Sequence, residues 1–279
     1  MKYKFWLKIM LTICLMMTMT SSAKAAALNS QKYVQSSTPT FFFHGWGSGA
    51  HAERHMAQAA TDAGVTKTVI VANVAQNGTV ELEGKIPHGA INPIIEVNLI
   101  DNENSNYTTD GHYVAAAIQK VCQTYHFKKY QVEAHSMGNM AFLYCLLQNT
   151  NNSKFPKLQK EVAMAGTFDG VIGWNQPANL QYNERTGEAT PATKSYQKLK
   201  KLRHTYPTTA RVLNIYGDLG DGTDSQVDNK SSKALKYLVA GRAKSYQEQR
   251  ITGANAKHEE SIGRRDLDQV LMGQISSTT

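Results

Sequence analysis

Residues 132–140 read Val132-Glu133-Ala134-His135-Ser136-Met137-Gly138-Asn139-Met140. A strand-like run, Tyr130 to Ala134, leads into the serine, and a helix-like run, Gly138 to Gln148, leads out of it. A serine at such a junction sits on a sharp turn, where side chains two positions to either side would collide with neighbouring backbone. Ala134 and Gly138 are the small residues this turn demands. In a parallel sheet, ligands gather at the carboxyl ends of the strands, so the turn would present its hydroxyl to a substrate. The helix that follows aims free amides and a partial positive charge at the same place, which suits a developing oxyanion.

Outward from this turn, strand-like and helix-like stretches alternate. Thr40-Phe41-Phe42-Phe43 is a compact apolar strand, Ala52 to Ala63 a helix stopped by Gly64, and Thr68 to Val74 a β-branched strand. Asn77-Gly78 is a turn dipeptide, with Thr79 to Leu82 as the second arm of a hairpin. Further strands are expected at Ile94 to Leu99, Glu161 to Ala165, Arg211 to Tyr216 and Tyr246 to Ile251. Helices are expected at Asp110 to Tyr125, Ser231 to Ala240 and Arg264 to Ile275. The alternation predicts an α/β fold, a mostly parallel sheet covered on both faces. Residues 166–209 are too long for an ordinary connection and form a lid-like insertion, whose second half, Lys194 to His204, reads as a basic helix.

The first 25 residues have a basic start, a short apolar run and a small-x-small end at Ala23-Lys24-Ala25, the plan of a secretory signal peptide. A secreted or cell-surface location follows as an expectation. Lys2, Lys4, Lys8 and Lys24 lie in this segment and no acid does, so its removal lowers the formal charge of +8 by four. Residues 26–38 read as a flexible tail and 39–279 as one α/β domain. Cys122 and Cys145 remain, on two helices that flank one strand. They are no disulfide framework, though a single bridge is open to them in an exported chain.

Ala134-His135-Ser136-Met137-Gly138 resembles the nucleophile elbow of α/β-hydrolases, with alanine in place of the usual first glycine. Phe43-His44-Gly45-Trp46-Gly47 resembles the H-G-x-G segment that follows an early strand in that superfamily. With the export signal and Tyr216-Gly217-Asp218-Leu219-Gly220-Asp221-Gly222-Thr223-Asp224, the chain is similar to the lipase-like cell-surface hydrolases of Gram-positive bacteria. The resemblance implies an α/β-hydrolase fold and a Ser-Asp-His triad in that chain order. It makes Ser136 the nucleophile, and the backbone amides of Trp46 and Met137 the oxyanion donors. Of nine histidines, His258 follows the strand at 246–251, where the resemblance expects the base. For the acid it favours Asp224, three residues before Val227; Asp218 and Asp221 stay open, because Asp228 stands where a proline is usual.

The implied activity is hydrolysis of a carboxylic ester through an acyl-enzyme. The same triad serves amide or thioester hydrolysis and acyl transfer, and a hydrolase scaffold can also serve a non-catalytic binding protein. Trp46 and Trp174 are candidate substrate contacts, with Val171, Ile172 and Leu180 as further apolar residues of the insertion. Lys194, Lys198, Lys200, Lys201 and Arg203 form a basic face that would meet either water or the anionic cell envelope. The expected partner is a small-molecule or lipid ester. No zinc spacing, phosphate loop or nucleic-acid motif is present, and the aspartates at 218–228 do not match a calcium-loop spacing, so neither metal nor cofactor is expected.

Overall fold

The computed structural model describes residues 28–29 and 32–259. The signal-like segment and the helix expected at Arg264 to Ile275 lie outside the described residues. In chain order the elements are β1 (Thr40–Phe43), α1 (Arg54–Asp62), β2 (Val69–Val74), β3 (Val80–Glu83), β4 (Ile94–Leu99), α2 (Tyr107–Thr124), β5 (Lys129–His135) and α3 (Met137–Asn149). They continue with β6 (Lys157–Met164), the short β7 (Gln181–Tyr182) and β8 (Ala189–Thr190), α4 (Lys194–Leu199), α5 (Leu202–Thr205), β9 (Arg211–Asp218), α6 (Asn229–Lys233), α7 (Leu235–Val239) and β10 (Ser245–Thr252).

Eight strands make one sheet in the order β10-β9-β6-β5-β1-β4-β2-β3. Every pairing is parallel except β2 with β3, the hairpin closed at Asn77-Gly78. The chain moves outward from β1, then crosses back to β5 on the other side of β1. The carboxyl ends of β1 and β5 therefore adjoin where the direction reverses, the place where such sheets open a crevice.

Both faces of the sheet are covered, which explains why Phe41, Phe42 and Phe43 are all buried. Phe41 and Phe43 pack with Ile118, Val121 and Phe142 beneath α2 and α3, whereas Phe42 packs with Met56, Ala57 and Ala60 of α1. Tyr33 joins the α1 layer and the Asn92 side chain donates to the Val34 carbonyl (2.9 Å). The described end of the expected tail is thus packed down.

Two expectations about helices change. Helix α2 starts at Tyr107, because the Asn106 side chain caps the amides of Thr108 and Thr109; Asp110 falls inside its first turn. The helices expected at 194–204 and 231–240 are each two short pieces. Of the basic face, Lys200 pairs with Glu188 (2.8 Å) and Arg203 stacks on Tyr237, leaving three of five cations to solvent. Cys122 and Cys145 are free and buried, with no bridge between α2 and α3; burial pushes the Cys122 thiol up to about 12. Within 166–209, Leu180, Tyr196, Leu199 and Leu202 belong to the main core, which anchors the insertion on the body.

Candidate active site

Strand β5 ends at His135, and Ser136 turns the chain into α3 with φ 51° and ψ −124°. A serine in this half of φ space is strained, and the surroundings hold it there. The Ser136 amide donates to the Met164 carbonyl (2.9 Å), and buried Asn139 donates to the carbonyls of Ser136 (3.1 Å) and Met164 (3.0 Å). Asn139 went unnoticed in the sequence; its signal is an amide in the first turn of a helix that carries no other until Gln148. A Cβ on Gly138 would sit 2.6 Å from the carbonyl oxygens of both Phe43 and His44, so the first turn of α3 lies directly against the end of β1.

His258 arrives from the other edge. After β10 the chain makes a tight turn, Gly253–Ala256, that lies over the end of β9; any side chain on Gly217 would strike the Ala256 carbonyl. The His258 amide donates to the Asp224 carbonyl (2.8 Å). Its Nδ1 donates to Asp224 Oδ2 (2.8 Å), and its Nε2 lies 2.9 Å from Ser136 Oγ. In that tautomer Nε2 is the acceptor for the serine hydroxyl. The other oxygen of Asp224 accepts from the amides of Gln226 (3.0 Å) and Val227 (2.7 Å), which fixes the carboxylate.

The remaining aspartates have other work. Asp218 accepts from the amides of Gly220 and Gly222 and faces Arg250 at 3.3 Å; those amides, above all Gly220's, hold its carboxyl below the usual range. Asp221 accepts from Thr223, and Asp228 caps α6. Asp224 alone among these four is bonded to an imidazole.

Two further imidazoles flank the site. His44 accepts from the Leu99 amide through Nε2 (3.1 Å) and donates from Nδ1 to the Gly45 carbonyl (2.8 Å). His135 donates from Nε2 to the His258 carbonyl (3.2 Å), tying the His258 backbone to the elbow. Burial lowers both, His135 to about 3 with help from neighbouring His258, so both rings stay neutral.

The Trp46 and Met137 amides have no hydrogen-bond partner among the described residues. Gly45 brings the Trp46 loop close, since a Cβ there would lie 3.1 Å from that of Ser136. The loop is braced by the Gly47 amide on the Asn102 carbonyl (2.9 Å) and the Asn102 side chain on the Ser48 carbonyl. Trp46 and Trp174 are both exposed and meet edge-to-face at 5.2 Å. A larger cavity of about 760 Å³ lies at the opposite end of the sheet, by the starts of β5 and β6. Among the described residues no group of three or more His, Cys, Asp or Glu could hold a metal ion, and no helix is long and apolar enough to cross a membrane.

The arrangement can draw a proton from the serine hydroxyl and hold the resulting imidazolium against a fixed carboxylate. The sequence was compared with known proteins. The family model described as alpha/beta hydrolase of unknown function (DUF915) matches residues 27–270. Among solved structures, a Listeria innocua gene product superposes with a TM-score of 0.77 at 22% identity, over 88% of this chain and 96% of that one. A Lactobacillus plantarum protein described as a "putative cell surface hydrolase" gives 0.65 at 18%, over 85% and 89%. A Bacillus licheniformis lipase in its propeptide form gives 0.51 at 12%, over 91% of this chain and 53% of that one. Such identities speak for the fold, the alpha/beta-hydrolase fold. No match was found among curated protein sequences. With the model running from the packed tail almost to the end of the chain, this protein belongs to the DUF915 family of alpha/beta hydrolases.

Proposed function

We propose that the protein is an exported serine hydrolase acting on carboxylic esters. The observation that carries this reading is the Ser136–His258–Asp224 relay, with 2.9 Å and 2.8 Å between successive partners. In the scheme, His258 Nε2 takes the hydroxyl proton as Ser136 Oγ bonds to the ester carbonyl carbon. Asp224 holds the imidazole tautomer and stabilises the imidazolium. The carbonyl oxygen becomes an oxyanion held by the Trp46 and Met137 amides; one such donor is worth about 2.7–4 kcal/mol of barrier. Collapse breaks the bond to the alcohol, which leaves with the proton from His258. Water, deprotonated by His258 in turn, attacks the acyl-enzyme and frees the acid and Ser136. No cofactor or metal enters these steps.

The exposed Trp46–Trp174 pair beside the serine supports contact with the organic part of the ester, and the signal-like first 25 residues support secretion or cell-surface display. A fluorophosphonate probe tests the reading. The wild type should label at Ser136 and hydrolyse p-nitrophenyl esters, and Ser136→Ala should do neither. A folded wild type that takes up no probe and cleaves no ester of a graded series would sink it.

A further inference from the structure

A small cavity opens beside the oxyanion amides. It measures about 20 Å³ and is lined by Trp46, Met137, Leu99, Ala141, Asp101 and Asp110, with room for one or two water-sized groups. It is too small for a long acyl chain. Its polar end is unusual: Asp110 is only 6% exposed, and its carboxylate has no hydrogen-bond partner among the described residues. A first-turn aspartate ordinarily stands in open water and favours the helix dipole; this one lines the cavity, where solvent still reaches its oxygens. Asp101 differs, because Gln76, Asn104 and Tyr113 all donate to it.

We propose that Asp110 is a specificity-determining residue that receives the ammonium of a short α-aminoacyl ester whose carbonyl lies on the Trp46 and Met137 amides. The inference rests on the ester-hydrolase reading and names its substrate class. An ammonium matches the cavity in size and brings the donors that the carboxylate lacks. Burial, and then the charge of Asp101, pushes the Asp110 carboxyl up to about 7. Near neutrality the pocket thus holds the Asp110 charge at a cost that a bound cation relieves. The pairing acts on recognition and leaves the bond changes at Ser136 as described.

Benzyl glycinate and benzyl propionate test this, because they differ only in an ammonium for a methyl. Near pH 7 the wild type should prefer the glycyl ester in kcat/KM by about tenfold to a hundredfold beyond the ratio of the two esters' hydroxide-catalysed rates, the range of a charge-assisted hydrogen bond. Asp110→Asn should lower the glycyl value at least tenfold more than the propionyl value. A wild type that cleaves the propionyl ester as well as the glycyl one overturns the proposal, whatever the variant does, and so does a variant that loses both equally. Neither ester cleaved by a protein that still labels at Ser136 also overturns it while sparing the nucleophile. No cleavage and no labelling would instead bring down the ester-hydrolase reading itself.

Discussion

Gly138→Ala tests whether the elbow and the oxyanion loop are one packed unit. The added methyl would sit 2.6 Å from the carbonyl oxygens of Phe43 and His44, where real contacts hardly fall below 3.0 Å. Both oxygens must retreat by several tenths of an ångström. Overpacking of this kind costs about 1–3 kcal/mol, offset by about 1 kcal/mol from replacing a helical glycine. The net loss, about 0–2 kcal/mol, lowers Tm by roughly 0–8 °C in a domain of this size. Activity should suffer far more. The peptides that carry those oxygens lead into Gly45 and Trp46, so the displacement moves one oxyanion donor, and losing such a donor costs about 10²–10³ in kcat. Thermal unfolding and p-nitrophenyl acetate turnover would be measured beside Gly241→Ala, where a methyl meets nothing within 4 Å. If Gly138→Ala keeps kcat within about threefold of the wild type, the coupling argued from these contacts is wrong.

Asp224→Asn should lower kcat on the order of 10⁴-fold by favouring the wrong imidazole tautomer, and Asp218→Asn far less; equal losses in a p-nitrophenyl assay would mean the acid is misassigned. Burial pushes the Glu53 carboxyl up to about 8 and raises its neighbour Glu133, with Glu96 and Arg54 close by. The folded state then holds more protons than the unfolded one, so this stabilisation is complete below the usual carboxylate range and erodes as pH rises through about 8. Tm should fall between about pH 5 and pH 9 and fall less in Glu133→Gln; parallel profiles would refute this. Trp174→Ala removes a side chain that is 52% exposed, so Tm should hardly move. KM for aromatic or long-chain esters should rise several-fold, and an unchanged KM would detach Trp174 from the substrate.

Local chemistry made the elbow legible: the turn needs small residues at 134 and 138, and they stand there whatever the rest of the chain does. The chain order that the resemblance implies pointed to His258 and to the aspartates after β9, with Asp224 favoured for standing three residues before Val227. Choosing among four aspartates needed the loop itself, in which three of them turn to backbone amides or an N-cap. Strand β6 begins at Lys157 rather than near Glu161, because Lys157-Leu158-Gln159-Lys160 carries no β-branched residue and is held by its neighbours. Leu180 was legible as apolar, with substrate contact and packing both open, and the structure puts it in the core. Asp110 was invisible as a pocket residue: the sequence marks a helix start, while the direction its carboxylate faces depends on where β1 and β4 end.

Among the described residues, His258 follows the strand at the sheet's margin. Strand β10 is half exposed along its length, and the turn after it is held to the body near Asp224 and His135. Segments with so little buried area open before the central strands do. Mild denaturant should therefore extinguish turnover in a subglobal step, with the sheet's spectroscopic signal intact, and dilution should restore it without refolding. The working range of the proposed activity would then be set by the docking of one short turn, well inside the range over which the fold persists.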